Sequence, residues 1–394
     1  MPFLIFWTCS EWFLHTMVKS NQDKSGEIKL KKWIVFLLCL SLTGGSIGYV
    51  TAALNQPHPQ ADAYVLMDAK SGRVLLENEN SHQPMKIASI TKIMTAIISI
   101  ESGKMEQEVI VSENAVNQEG SKIYFVPGEK ILLKDLVYGL MLRSGNDAAM
   151  AIAEFVGGSK EGFVYLMNQK AQELGMKNTF FSNPSGLDEE GKEHYSSAYD
   201  MGLLTKYALE NKQYKKIAGT KSYTCSHPTE EWDRKFYNKH KLVTGGYAYA
   251  TTGKTGFTKA AGRTLVTTAE KGNLSLIVVT IRDGTDWKDH TVLFQWGFSN
   301  YQMEQVEEKG LKVYQTQPYY LSESIVLPLT KQEQKQLKRK MVLWEKGVHT
   351  PFTKIDGMYE IWLGEEKLAE YPIQKAEKKF SSIHAESSEG DSHG

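Results

Sequence analysis

Apolar residues gather in two short runs near the start of the folded region. AYVLMDA from Ala63 and GRVLLENE from Gly72 have the length of strands, and Lys70-Ser71-Gly72 offers a turn between them, which predicts a β-hairpin. The spacing turns helical from Ser89 to Ile100. It is helical again from Lys134 to Val156, with a break at Ser144-Gly145-Asn146 where glycine disfavours a helix, and once more from Gly162 to Leu174. Gly262–Ala269 and Leu274–Ile281 are rich in Val, Ile and Thr and flank a Lys271-Gly272-Asn273 turn, which predicts a second hairpin. Strands at both ends with helices between them predict one sheet assembled from distant segments, an α+β fold. That larger domain is expected over residues 53–305. Short runs (SIVLPL, MVLWEK, MYEIWLG) then alternate with Gly and Pro, predicting a small β-rich domain over 306–375. A Lys-, Glu- and Ser-rich tail, 376–394, is expected to be disordered.

The amino terminus reads differently. Lys29, Lys31 and Lys32 precede the apolar run Trp33–Leu42, and Val50-Thr51-Ala52 places small residues where a signal peptidase cuts. This is the layout of a secretory signal peptide over residues 1–52, with Met17 as a more ordinary start. A retained anchor is the alternative, but Gly44, Gly45, Ser46 and Gly48 dilute the apolar stretch.

Composition removes several classes of function. The chain carries 46 Lys+Arg against 46 Asp+Glu, so it lacks the basic balance of a nucleic-acid binder. Of three cysteines only Cys225 follows the signal segment, which excludes an internal disulfide and a cysteine-rich metal site in the mature chain. No histidine cluster has metal-ligand spacing, and neither metal nor cofactor is expected.

Three short motifs carry candidate chemistry. In Ser89-Ile90-Thr91-Lys92 the serine opens a helix and the lysine lies three residues on, on the same face. A serine hydroxyl needs a base, and a lysine serves if burial or a second cation lowers its pKa. Taken alone, the motif's plainer reading is a helix cap followed by an exposed lysine. Ser144-Gly145-Asn146 brings a hydroxyl and a carboxamide to a helix break, where a simple turn is the plainer reading. Lys254-Thr255-Gly256 precedes the second hairpin. It offers a cation, a hydroxyl and a glycine that permits close approach, at a strand able to bind an extended peptide; a solvated strand start is its plain reading.

The order of the three motifs is more specific than any one of them. Ser-x-x-Lys, Ser-x-Asn and Lys-Thr-Gly in that sequence mark penicillin-binding proteins and class A β-lactamases. With IASITKIMTA, LMLRSGNDAAMAIAE, SNPSGLDEEGKEHYSSAYDM and GKTGFTKAAGRTLVTTA, residues 60–375 resemble the D-alanyl-D-alanine carboxypeptidases, the low-molecular-weight penicillin-binding proteins, most of all the sporulation-associated type. The resemblance implies a penicillin-binding-protein/β-lactamase-like domain followed by a small β domain. It implies Ser89 as the acylated nucleophile, Lys92 as its base and Ser144 as a proton relay. Asn146, Lys254, Thr255, Gly256 and Phe257 would bind substrate, with the N–H groups of Ser89 and Phe257 as the oxyanion hole. Peptidoglycan stem peptides would be the substrate and β-lactams the inhibitors. The tail KKFSSIHAESSEGDSHG departs from the amphipathic anchor of many members, so membrane association would depend on the amino-terminal segment. Arg263 and His290 carry no assigned role.

Two other readings stay open. A serine β-lactamase shares the motifs but needs a Glu-x-x-Leu-Asn deacylation element, which is absent between Asn146 and Lys254. A non-catalytic sensor of β-lactams or muropeptides would not need the paired Ser89 and Lys92.

Overall fold

The computed structural model describes residues 56–226, 232–349 and 354–376. The expected signal segment 1–52 lies outside the described residues, as does the expected tail apart from Ala376.

The chain opens with β1 (Ala63–Asp68) and β2 (Val74–Glu77). A 3₁₀ turn, Ala88–Thr91, feeds α1 (Lys92–Glu101). After β3 (Glu108–Ile110), the single-turn α2 (Glu113–Val116) and β4 (Lys130–Leu132) come α3 (Leu133–Arg143), α4 (Asn146–Gly157) and α5 (Lys160–Glu173). Helices α6 (Ala198–Glu210) and α7 (Lys212–Gly219) lead to a small ladder of β5 (Ser222–Cys225) and β6 (Arg234–Tyr237). Strands β7 (Ala250–Thr258), β8 (Gly262–Lys271) and β9 (Leu274–Ile281) and helix α8 (Asp286–Asn300) complete this part.

Distant segments do build one antiparallel sheet, in the order β2-β1-β9-β8-β7. Its central strands β1 and β9 are buried along their whole length, because helices cover both faces. Alternate side chains serve the two sides. Val65, Met67, Ile277 and Val279 join the core of α1, α3 and α4, while Leu66, Leu276 and Val278 pack with Leu293 and Phe294 of α8. Helix α1 is apolar nearly all round, so it can only sit inside, and it carries Lys92 into the interior with it. The break at 144–145 separates α3 from α4 where the sequence places it. Lys254-Thr255-Gly256 lies in β7, the strand just ahead of the β8-β9 hairpin, and Lys254 is 1% exposed, so the solvated alternative falls away.

Among its described residues the carboxyl-terminal part is all β apart from one short 3₁₀ turn. β10 (Gln302–Glu307) pairs with β13 (Ile325–Leu329), so the expected boundary at 305 falls inside a strand. β11 (Gly310–Tyr314), β12 (Gln317–Leu321), β14 (Leu337–His349), β15 (Lys354–Leu363) and β16 (Glu366–Lys375) form a second sheet, ordered β11-β12-β16-β15-β14. Leu321, Leu327, Ile361 and Ile373 give it a core of its own. Arg73, just before β2, reaches across to Glu333 (2.5 Å) and ties the two parts together.

Candidate active site

Three elements converge on Lys92. Its Nζ lies 2.9 Å from Ser89 Oγ, 2.7 Å from Asn146 Oδ1 and 2.7 Å from the Ser185 carbonyl. Two of these partners are oxygens that can only accept. A neutral amine has two N–H groups for them and one lone pair left, which faces the Ser89 hydroxyl. Burial pushes the Lys92 pKa well below its ordinary value; Lys254 and Lys239 add repulsion, against a weaker opposing pull from Asp147.

Ser144 closes α3 in the left-handed conformation, φ 63°. A non-glycine residue there costs about 1–3 kcal/mol and persists only where its surroundings enforce it. Its hydroxyl accepts a hydrogen bond from Lys254 Nζ (3.0 Å), which also donates to the Thr255 carbonyl (2.7 Å). Burial, then the charge of Lys239, pushes Lys254 down to about 7. Asn146 begins α4 and does more than face a ligand: its Oδ1 accepts from Lys92, and its Nδ2 donates to the Glu119 carbonyl (2.5 Å).

The third element is an edge. Among the described residues β7 has a strand neighbour on its β8 side alone, which makes it an edge strand of the sheet. Gly256 brings that strand onto the 3₁₀ turn. A Cβ there would meet Thr264 Oγ1 at 2.3 Å, Ser89 N at 2.9 Å and Ile90 N at 3.1 Å. Ala88, just before the serine, is also left-handed (φ 49°). The Ser89 N–H therefore sits at the start of a helical turn, beside the Thr255–Phe257 backbone, where the first N–H groups have no helical acceptor. Phe257 is exposed at the rim.

Ser89, Lys92, Ser144, Asn146 and Lys254 are thus brought together, with Thr255, Gly256 and Phe257 along the adjoining edge. Sequence reasoning missed Lys239, the third cation, and the Ser185 and Glu119 carbonyls. In the sequence the stretch holding Ser185 carries only the family resemblance. Arg263 is engaged elsewhere, with Asp286 (2.7 Å), and His290 is buried between Thr267 and Thr280. Cys225 is buried, and burial raises its thiol to about 11, far from a reactive thiolate.

Known proteins resemble this chain in sequence and fold. The D-alanyl-D-alanine carboxypeptidase family profile matches residues 50–285. The chain is 38% identical to the carboxypeptidase DacF of Bacillus subtilis over 264 residues, 64% of this chain and 66% of that protein. It is 28% identical to DacD of Salmonella typhimurium over 351 residues, 82% of this chain and 87% of its relative. Penicillin-binding protein 5 of Haemophilus influenzae superposes with a TM-score of 0.68 at 28% identity, covering 82% of this chain and 98% of that one. The fold is that of the penicillin-binding proteins, with antiparallel sheets, helices and a β-rich carboxyl-terminal part.

Proposed function

The chain belongs to the D-alanyl-D-alanine carboxypeptidase family of serine peptidases, and from that premise we propose that it removes the terminal D-alanine from peptidoglycan stem pentapeptides through an acyl-enzyme on Ser89. The observation that carries this reading is the buried lysine beside a serine: Lys92 Nζ at 2.9 Å from Ser89 Oγ, with its charged form disfavoured.

Lys92 takes the hydroxyl proton as Ser89 Oγ attacks the carbonyl between the two D-alanines. The N–H groups of Ser89 and Phe257 receive the oxyanion, each worth about 3 kcal/mol in the transition state. The C–N bond then breaks. Ser144, held by Lys254, relays that proton from Lys92 to the leaving nitrogen, gaining one proton as it gives one, and D-alanine departs with Lys92 neutral again. Thr255 and Lys254 hold the terminal carboxylate, Gly256 admits the substrate backbone, and Asn146 orients the substrate amide with the hydrogen-bonding capacity Lys92 leaves free. Water hydrolyses the ester. β-Lactams enter by the same acylation and leave a slowly hydrolysed adduct.

The reading divides the chain into a signal peptide 1–52, a catalytic domain 53–305, a small β domain 306–375 and a polar tail. The Lys29–Lys32 cluster ahead of Trp33–Leu42 supports export, and the motif wording supports a role in sporulation. Among the described residues no helix is long and apolar enough to cross a membrane.

Incubation of the mature protein with a peptide ending in D-Ala-D-Ala tests the proposal. Free D-alanine is expected with wild type and none with Ser89→Ala. No release from wild type, with penicillin still labelling Ser89, would favour the sensor reading instead.

A further inference from the structure

One buried histidine has no part in the chemistry above. His194 is 2% exposed, and burial pushes it down to about 4, so it is neutral at ordinary pH. Its two ring nitrogens have different tasks. The Ser182 backbone N–H lies 3.2 Å from Nδ1, which must therefore accept. Nε2 then carries the proton and donates to Thr91 Oγ1 at 2.8 Å. Having accepted from His194, the Thr91 hydroxyl donates to the Ala88 carbonyl, also at 2.8 Å. The relay is directional: Ser182 N–H to imidazole, imidazole to hydroxyl, hydroxyl to carbonyl.

Its end point matters because of covalent geometry. The Ala88 carbonyl and the Ser89 N–H belong to one planar trans peptide, so fixing the oxygen fixes the opposite N–H. That peptide is hard to hold by propensity alone, since Ala88 is left-handed (φ 49°). Gly186 closes over the same oxygen: a Cβ there would stand 1.9 Å from it, and Gly186 itself has φ 78°. A second bond steadies the preceding unit, from Thr264 Oγ1 to the Ile87 carbonyl (2.9 Å). A hydrogen bond to a carbonyl also polarises its amide, making the N–H a better donor.

We propose that His194 is a positioning residue that, through Thr91 and the Ala88 carbonyl, aims the Ser89 N–H at the developing oxyanion. The inference rests on the acyl-enzyme reading of Ser89. It predicts a defect in the transition state rather than in binding, because the oxyanion forms only there.

Pre-steady-state acylation by a chromogenic or fluorescent penicillin separates the two, giving the dissociation constant of the initial complex and the acylation rate constant. His194→Leu and Thr91→Val should each slow acylation about 10–100-fold, the usual cost of losing an orienting partner, with the dissociation constant within about twofold. His194→Gln keeps a donor for Thr91 and an acceptor for Ser182, and should stay within about threefold of wild type, in line with a hydrogen-bond role. The double variant His194→Leu/Thr91→Val should be no slower than the slower single, because both changes break one relay. Acylation of Thr91→Val at the wild-type rate would overturn the proposal even if His194→Leu failed to fold. Multiplicative losses in the double variant, or losses confined to the dissociation constant, would overturn it too. Labelling of Ser89→Ala at the wild-type rate would instead sink the reading of the site itself.

Discussion

The two sheets of this protein treat charge in opposite ways. Around the first, Lys92 and Lys254 are 0% and 1% exposed and hydrogen-bond to hydroxyls, a carboxamide and carbonyls, while Lys239 repels them both. Around the second, charges are neutralised. Glu307 takes Lys312, Arg339 and the Tyr359 hydroxyl, and Lys367 lies between Glu360 and Glu370. The backbone follows suit. Ala88 and Ser144, both left-handed without being glycine, flank the candidate site, whereas in the second sheet the one such described residue, Gln315, is in a hairpin turn. The first region keeps buried lysines without carboxylate partners and strained peptides poised for chemistry, at a cost in stability; the second is arranged for stability.

Removing Lys92, the proposed base, tests that contrast most severely. Lys92→Met should slow acylation about 10²–10⁴-fold, the range for general-base catalysis, yet raise the thermal midpoint. The sign follows from linkage. The lysine's pKa is lower folded than unfolded, so wild-type stability rises with pH between the two values, and the variant's advantage is greatest below that window. A lower midpoint for Lys92→Met at neutral pH would contradict the claim that this buried lysine is held against stability.

Gly256→Ala comes next. Its Cβ would push β7 away from Ser89 N and Thr264, and a displacement of that size costs about 10²-fold in rate. Stopped-flow acylation would show it; a loss under threefold would mean that the edge can recede without harm. Lys239→Gln should act on pH dependence more than on maximal rate. Without its charge Lys92 holds its proton to higher pH, so the acid limb of the acylation profile moves up. Lys254 moves in the same direction, carrying the alkaline limb with it. An unmoved profile would remove Lys239 from the site's electrostatics.

The smallest catalytic effect belongs beside the second sheet, at Glu307 of β10. Burial raises the Glu307 carboxyl, but bonds from Lys312 and Tyr359 outweigh it and hold the pKa below its ordinary value. Glu307→Gln should destabilise the β-rich part by about 1–3 kcal/mol at neutral pH, as expected for hydrogen bonds to a charge, and leave acylation unchanged. The deficit should shrink as acid protonates the wild-type carboxylate. Urea unfolding at pH 7 and pH 4 would check both statements, and a catalytic defect would show the two sheets to be coupled.

Much of this architecture was legible beforehand because its signals are local. The 70–72 and 271–273 turns, the break at 144–145 and the β-rich character beyond Leu311 all follow from glycine placement and apolar spacing over a few residues. The site was legible as three motifs for a similar reason: each is short, and their order is specific. What stayed hidden was long-range. Lys239 has no distinguishing neighbours in sequence, and the Ser185 and Glu119 contributions are backbone carbonyls, which every residue possesses. The burial of Lys254 stayed hidden because a lysine in a threonine- and glycine-rich run looks solvated until other elements are packed over it.

The order of residues by itself determined the elements, the chemical groups available and the family they resemble, since these depend on local periodicity and side-chain identity. Only the tertiary structure decided that Lys92 meets Ser89, Asn146 and Ser185 at once, that Lys254 is shielded, and that His194 reaches Ala88 through Thr91. A lysine's proton affinity and a peptide's orientation are properties of surroundings, and those surroundings come from segments more than 50 residues apart in the chain.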